Sequence, residues 1–473
     1  MRLVPTALLT VFCLVLPFSL KLYGQEYEDN PALRKDPIWY KHYESRRFLS
    51  NALSLDKTGN IYTGGSFESY FATPDTTYEI PRGPFRETFA NQIWLQKHDQ
   101  QGNLQWTNYA IGQARLHAIA NDKEENVYIC GEVWSDALVF VSADGSRDSL
   151  DKPGNYHRGA YVAKFNSAGQ LLKSYYFSLN RHENFSEMLI DSKGNLILGG
   201  NYMYSQKSEL KRSYLLLKLK SNLEPLWVMD GDTLGRTQIT ALALDGSDNT
   251  YLAGAYGKDV KIGDQHLSSP HQSQKPFIAK LKKDGELVWL QGAIVDTLNP
   301  HSQMIVSGMA LDFWRNIYIS GTRYDGRFYL AKLKRNSDLA WTTGMRPSNR
   351  SNYPFGMIEK DNKELLIFGH GYGGSFFSSP PVDTLSYMGK GSTDFFIGEY
   401  SKKGKIVNFQ FGGGRGTDYL TAMAFRDGKI YALGHDLGGS PVEFGQKQIG
   451  EAEHFTYLKR GPVMWLACFE WGD

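Results

Sequence analysis

Seven side chains able to bind an anion recur along this sequence at intervals of roughly 50 to 70 residues: Arg47, Arg115, Arg181, Arg236, His301, Arg350 and Arg415. A guanidinium offers a planar fork of donors that fits carboxylate, sulfate or phosphate in a bidentate way, so a ring of them around one mouth would select an anionic ligand. Arginine is also common on solvated loops, and both readings stand at this point. Two histidines follow glycines in Gly369-His370-Gly371 and Gly434-His435-Asp436, and with Asp436 they could begin a metal or acid–base site. No His-Glu-x-x-His spacing supports an ion, and ordinary turn residues are expected there. Segments such as Asp56 to Asn60 and Asp191 to Asn195 carry the oxygen ligands calcium takes, but a hairpin turn needed by every repeat explains them without an ion. The chain has no Gly-x-Ser-x-Gly elbow, no phosphate-cradling glycine loop and no clustered Cys/His set, so no catalytic residue, metal or cofactor is assigned.

The elements that must position these groups come from a two-part repeat. The first part is an apolar run, a polar turn, a second alternating run and a closing glycine. It occurs at Leu53 to Gly65, Ile119 to Gly131, Leu189 to Gly200, Leu242 to Gly254, Ala310 to Gly321, Met357 to Gly369 and Met423 to Gly434. Alternation on both sides of an Asp/Asn/Gly turn predicts a β-hairpin. The second part is an aromatic-led apolar run, often with Lys, then a turn and often a Trp. It begins at Trp94, Tyr161, Leu215, Phe277, Tyr329, Phe396 and Trp465. Each pair of hairpins supplies four strands, the size of one propeller blade, so an all-β fold of seven four-stranded antiparallel blades is predicted.

The seventh second-type hairpin, Trp465 to Trp471, holds only its first strand, and the aromatic-rich run Ile38 to Tyr43 reads as its missing partner. An N-terminal outermost strand is therefore expected to join three C-terminal strands and staple the ring shut. Numbering strands a to d from the axis outward, the b-to-c and d-to-a connections fall on one face and the short a-to-b and c-to-d turns on the other. The b-to-c connections are long in five blades, with extra strand pairs expected near Asp259 to Gly263 and Pro441 to Gly445. Any binding site is placed on that loop-rich face, where the anion-binding ring would surround the channel mouth. The alternative is that the long loops only shield blade edges. Trp39, Trp106, Trp227, Trp289 and Trp341 on the outermost strands are expected to pack between blades.

These repeats resemble the bacterial SBBP-type β-propeller repeat, whose hallmark is an apolar run, Asp-x-x-Gly-Asn, apolar-Tyr-apolar and Gly, then an aromatic-x-Ala-Lys strand. The match is best at Asp56-Lys57-Thr58-Gly59-Asn60-Ile61-Tyr62 and Asp191-Ser192-Lys193-Gly194-Asn195, and the sixth and seventh copies depart from it. The resemblance covers about residues 38 to 471 and implies an exported or surface protein of bacteria, without implying any catalytic residue.

The remaining expectations come from composition and the ends of the chain. With 52 basic and 50 acidic residues, the net charge of +2 offers no bulk attraction to nucleic acid. Arg2 followed by the apolar stretch Val4 to Leu20 reads as an export signal over residues 1–24, with a linker at 25–37 and the propeller at 38–473. No transmembrane segment is expected in the mature chain. Cys130 and Cys468 fall in non-adjacent blades and are expected to be buried free thiols. The reading is a monomeric, exported binding or interaction propeller located in the periplasm, on the cell surface or outside the cell. Its expected ligand is an anionic polysaccharide or a protein or peptide. A polysaccharide hydrolase or lyase, or a structural envelope component, is the alternative.

Overall fold

The computed structural model describes residues 36–471 except 46–47, 69, 73–76, 80–91, 151, 153–157, 207–208, 232–235, 270–273, 293–302, 324, 348–351, 362, 372, 378–383, 389–391, 438–441, 445–446 and 450–462. The expected export signal (1–24), most of the linker, and Arg47, His301 and Arg350 lie outside the described residues. Among the described residues no helix is long and apolar enough to cross a membrane.

Seven four-stranded antiparallel blades run in order around one axis. The innermost strands a are Phe48–Leu55, Ala114–Asn121, His182–Ile190, Gln238–Leu244, Met304–Leu311, Asn352–Lys360 and Asp418–Arg426. The ring closes as the sequence predicts. Trp39–Ser45 is the outermost strand of blade 7 and pairs antiparallel with Val463–Glu470, Trp39 opposite Cys468 and Glu44 opposite Val463. Val463–Glu470 pairs on its other side with Lys429–Asp436. Cys130 and Cys468 are both free and buried.

Local turn chemistry explains why each first hairpin forms. Asp56 accepts at Oδ1 from the backbone N–H of Thr58 (2.9 Å) and Asn60 (3.0 Å), and at Oδ2 from Asn60 Nδ2 (2.8 Å). The same cap recurs at Asp122, Asp191, Asp245 and Asp312. Burial works to raise the Asp56 pKa, but hydrogen bonds from Asn60 and Thr58 outweigh it and hold the carboxylate below its ordinary value. These aspartates serve the backbone of their own turns, which accounts for their repetition.

The blades are joined through the second hairpin. Its lysine reaches the c-to-d turn of the next blade: Lys97 Nζ donates to Ser167 O (3.1 Å), Lys164 Nζ to Ser221 O (3.2 Å) and Lys218 Nζ to Lys283 O (3.0 Å). Outermost-strand tryptophans make the same crossing, Trp39 Nε1 to Gln100 O (3.2 Å), Trp106 Nε1 to Ser167 O (3.1 Å) and Trp341 Nε1 to Lys402 O (3.2 Å). A turn glycine makes room for such a ring. A Cβ on Gly102, at φ +77°, would lie 2.6 Å from the Trp39 ring. The expected packing of tryptophans between blades is observed at these positions.

The long b-to-c connections carry hairpins in five blades, including the expected pairs at Asp259–Ile262 with Gln265–Ser268 and Val442–Phe444 with Lys447–Ile449. Three of the five are handed backwards to the preceding blade. Tyr70–Ala72 extends the outermost strand of blade 7, Val139–Val141 that of blade 1, and Gly373–Phe377 that of blade 5. Covering an exposed edge strand removes a template for unwanted pairing. Much of the loop-rich face is thus given over to edge cover, which leaves the channel mouth as its concave centre.

Candidate functional site

Every innermost strand carries one extra residue at the same place. The register slips between Ser50/Ala52, Leu116/Ala118, Phe185/Glu187, Ile239/Ala241, Val306/Gly308, Pro354/Gly356 and Leu420/Ala422. A bulge of this kind bends the strand and re-aims a side chain. The extra residues are Asn51, His117, Ser186, Thr240, Ser307, Phe355 and Thr421. Six are polar; blade 6 alone places an apolar ring there. The bulge also pushes a carbonyl oxygen onto the facing strand, and this is why the repeat ends in glycine. A Cβ on Gly65, Gly131, Gly200, Gly254, Gly321, Gly369 or Gly434 would lie 1.9 to 2.2 Å from that oxygen.

A cavity of about 780 Å³ opens at the mouth, on the face of the b-to-c and d-to-a connections. Its walls are Glu187 from blade 3, Thr240 and Gln274 from blade 4, Gln303, Ile305, Val306, Ser307, Thr322 and Arg323 from blade 5, and Tyr353, Pro354, Phe355 and His370 from blade 6. Tyr353 and Phe355 are 44% and 42% exposed although they sit on an innermost strand. Their rings flank His370 at 5.6 and 4.8 Å between centroids. The aromatic arc continues into blade 7, where Tyr419 stands edge-on to His370 (4.5 Å) and tilted against His435 (5.0 Å). Glu187, Thr240, Gln274, Gln303, Ser307 and Thr322 supply polar groups to the same cavity, so its lining has a ring-faced arc and a hydrogen-bonding arc.

The Tyr419 ring contacts both imidazoles that the sequence placed in neighbouring blades. Burial pushes the pKa of each down to about 4, with His370 adding to the effect on His435, so both are neutral at physiological pH. His435 Nδ1 shares a 3.0 Å hydrogen bond with Ser50 Oγ, tying blade 7 to blade 1. Among the described residues no three His, Cys, Asp or Glu side chains are arranged to hold a metal ion. Glu187, reached by solvent from the channel but enclosed by its walls, has its carboxyl pushed up to about 8 by burial.

The described members of the sequence-derived ring do not line this cavity. Arg115 Nη1 lies 3.5 Å from Glu132 Oε1 and its guanidinium sits over the Trp134 ring at 5.2 Å. Arg181 Nη1 lies 3.3 Å from Asp230 Oδ2 and stacks on Tyr202 at 4.4 Å. Arg236 (φ 49°) and Arg415 are exposed. Sequence reasoning missed Tyr353, Phe355, Ile305 and Glu187. Aligning the seven innermost strands would have shown Phe355 as the apolar exception in a polar position.

Beside the mouth, Asp418 is fully buried, with Oδ2 accepting from the Gly414 N–H at 2.6 Å. Burial first, then Asp436 and Asp394 nearby, push its pKa from 3.8 up to about 8. Between those values the folded chain holds a proton the unfolded chain has released. The stability from this group is therefore complete below about pH 4 and declines as pH rises toward 8. The melting temperature should fall between pH 6.5 and 8, and Asp418→Asn should flatten that fall; an unchanged slope in the variant would refute the assignment.

No protein-family model matches the chain. An uncharacterized WD repeat-containing protein of Acanthamoeba polyphaga mimivirus is 28% identical over 145 residues, which cover 28% of this chain. The match spans 10% of that protein's length. Among solved structures, a protein of unknown function from Bacteroides caccae is 11% identical at a TM-score of 0.35, covering 63% of this chain and 82% of its own. One from Dyadobacter fermentans is 11% identical at 0.40, covering 72% and 94%. A puromycin hydrolase is 9% identical at 0.37, covering 72% of this chain and 55% of its own. The blade topology and the distant WD-repeat similarity together describe a seven-bladed β-propeller, a fold that generally serves binding and interaction.

Proposed function

We propose that this propeller is an exported, non-catalytic binding protein that takes a glycan at the channel mouth. The observation that carries the reading is the 780 Å³ cavity walled by the half-exposed rings of Tyr353 and Phe355 on one side and by Thr240, Gln274 and Gln303 on the other. Its volume lies within the usual range for ligand pockets. The C–H face of a pyranose packs against an aromatic ring, whose face carries negative quadrupole charge, while hydroxyls need the polar wall. An acidic sugar is the finer form of the reading, for which Arg236 and Arg415 are the exposed arginines of the d-to-a connections, outside the cavity lining. Because Arg115 and Arg181 already face Glu132 and Asp230, ring stacking supplies most of the affinity. Residues 1–24 act as the export signal, the chain is a monomer of the bacterial SBBP type, and its location is periplasmic, cell-surface or secreted.

The test is a glycan array of neutral and uronic-acid oligosaccharides probed with the mature chain, then calorimetry on the hits at low and high salt. Tyr353→Ala and Phe355→Ala should each weaken binding by about tenfold, the loss expected for one aromatic anchor. A blank array, or variants that bind like wild type, would reject the reading; strong salt dependence would favour the acidic form. Glu187 favours hydrolysis as a second reading, since it is a carboxylic acid protonated at neutral pH in the same cavity. Glycoside hydrolysis ordinarily uses two carboxyl groups, and Glu187 is the one carboxylate among the described lining residues. Release of reducing ends by wild type, abolished in Glu187→Gln, would establish it.

A further inference from the structure

The a-to-b turn of blade 5 breaks the polar pattern of the other repeats. Blades 1 to 4 follow the capping aspartate with Lys57-Thr58, Lys123-Glu124, Ser192-Lys193 and Gly246-Ser247, whereas blade 5 has Phe313-Trp314. The two rings are 79% and 73% exposed, edge to face with centroids 5.3 Å apart. Neither ring is needed by the hairpin. Asp312 caps the turn as elsewhere, taking the Asn316 backbone N–H at 2.8 Å and Asn316 Nδ2 at 2.8 Å. Arg315 fixes the turn to blade 4, its Nη2 donating to Ser247 Oγ at 3.1 Å. The rings are thus held outward on a braced turn.

Their surroundings are basic. On the four turns of blades 5 and 6 that share this face, the exposed charged side chains among the described residues are Arg315, Lys334, Arg335, Lys363, Lys403 and Lys405 against Asp338 and Asp361. That is six cations less two anions, or +4 locally, in a chain whose overall net charge is +2. The two blades are joined there by Trp341 Nε1 donating to Lys402 O.

We propose that this face docks on a lipid bilayer bearing anionic headgroups, with Phe313 and Trp314 entering the headgroup boundary and the flanking lysines and arginines meeting lipid phosphates. Two perpendicular rings offer no flat platform for a sugar, and cations spread over two blades form a surface rather than a pocket. An aromatic wedge rimmed by basic side chains is the chemistry of interfacial anchoring. The glycan cavity opens on the opposite face, so a docked propeller presents it away from the membrane.

The experiment is co-sedimentation of the mature chain with phosphatidylglycerol-containing vesicles and with pure phosphatidylcholine vesicles, at low and high salt. Wild type should partition onto the anionic vesicles and be released by salt. Phe313→Ser/Trp314→Ser and, separately, Lys334→Glu/Arg335→Glu should each lower the partition coefficient by roughly tenfold or more, with melting temperatures unchanged because both sites are exposed. Leu437→Ser, exposed on the other face, should partition like wild type. Absence of wild-type sedimentation at low salt would overturn the proposal. So would aromatic variants that sediment normally, or loss traced to a glycan or to a second copy of the chain binding these rings.

Discussion

Gly131→Ala should destabilise the fold by roughly 3–5 kcal/mol, a loss in the exceptional range for a single methyl group. The added Cβ would lie 1.9 Å from the Arg115 carbonyl oxygen and 2.9 Å from its carbon. Both belong to backbone held by the bulge between Leu116 and Ala118, so no side-chain rotation relieves the clash. Either the bulge must unwind, withdrawing His117 from its place, or strands a and b of blade 2 must part. Gly246→Ala is the control. No atom lies within 4 Å of its added Cβ, and a change within about half a kcal/mol is expected. Urea denaturation followed by tryptophan fluorescence compares the three proteins, and near-equal midpoints for wild type and Gly131→Ala would contradict the steric account.

Removing Trp39–Ser45 should be more damaging. That strand gives blade 7 its outer edge, buries Tyr43, and places Tyr43 Oη 2.7 Å from the buried His98 Nε2 of blade 1. Its loss exposes Val463–Glu470 as a free edge carrying Trp465, Leu466 and Phe469, and takes from the buried His98 Nε2 its Tyr43 partner. The cost of the tyrosine and its hydrogen bond alone is on the order of 3–5 kcal/mol, so aggregation or a much lower melting temperature is expected. Rejoining the same seven residues behind residue 471 through a short hairpin turn should restore wild-type melting. A shortened chain that melts like wild type would show that the ring does not depend on this closure.

Both expectations rest on features visible in the sequence, yet only one had its reason there. Pairing of Trp39–Ser45 with the C-terminal strand is legible because a missing strand and a spare strand of the right pattern stand at opposite ends. The closing glycines are equally visible as a pattern, but the facing carbonyl that demands them belongs to a bulge that strand alternation alone does not reveal. The tryptophans were legible as packing residues, and their acceptors in the next blade, such as Ser167 O and Lys402 O, were not.

The candidate site was less legible than the fold. Arg115 and Arg181 read as free cations because Glu132 stands 17 residues away and Asp230 stands 49 away, and it is strand pairing or blade packing that sets each beside its arginine. The long connections at Tyr70, Val139 and Gly373 read either as binding loops or as shields for blade edges; the edge-shielding reading holds for these three, and only the structure shows that each covers the edge of the blade before its own. By itself the sequence determined the number of hairpins and their turn caps, since each is encoded within a dozen or so residues by alternation and side-chain-to-backbone bonds, and it determined the closure through one unpaired strand pattern matching another far along the chain. The tertiary structure alone decided which side chains meet at the mouth. Glu187, Ser307 and Phe355 come from blades whose local patterns are nearly the same, and only the bulge and the curvature of a closed ring turn them toward one cavity.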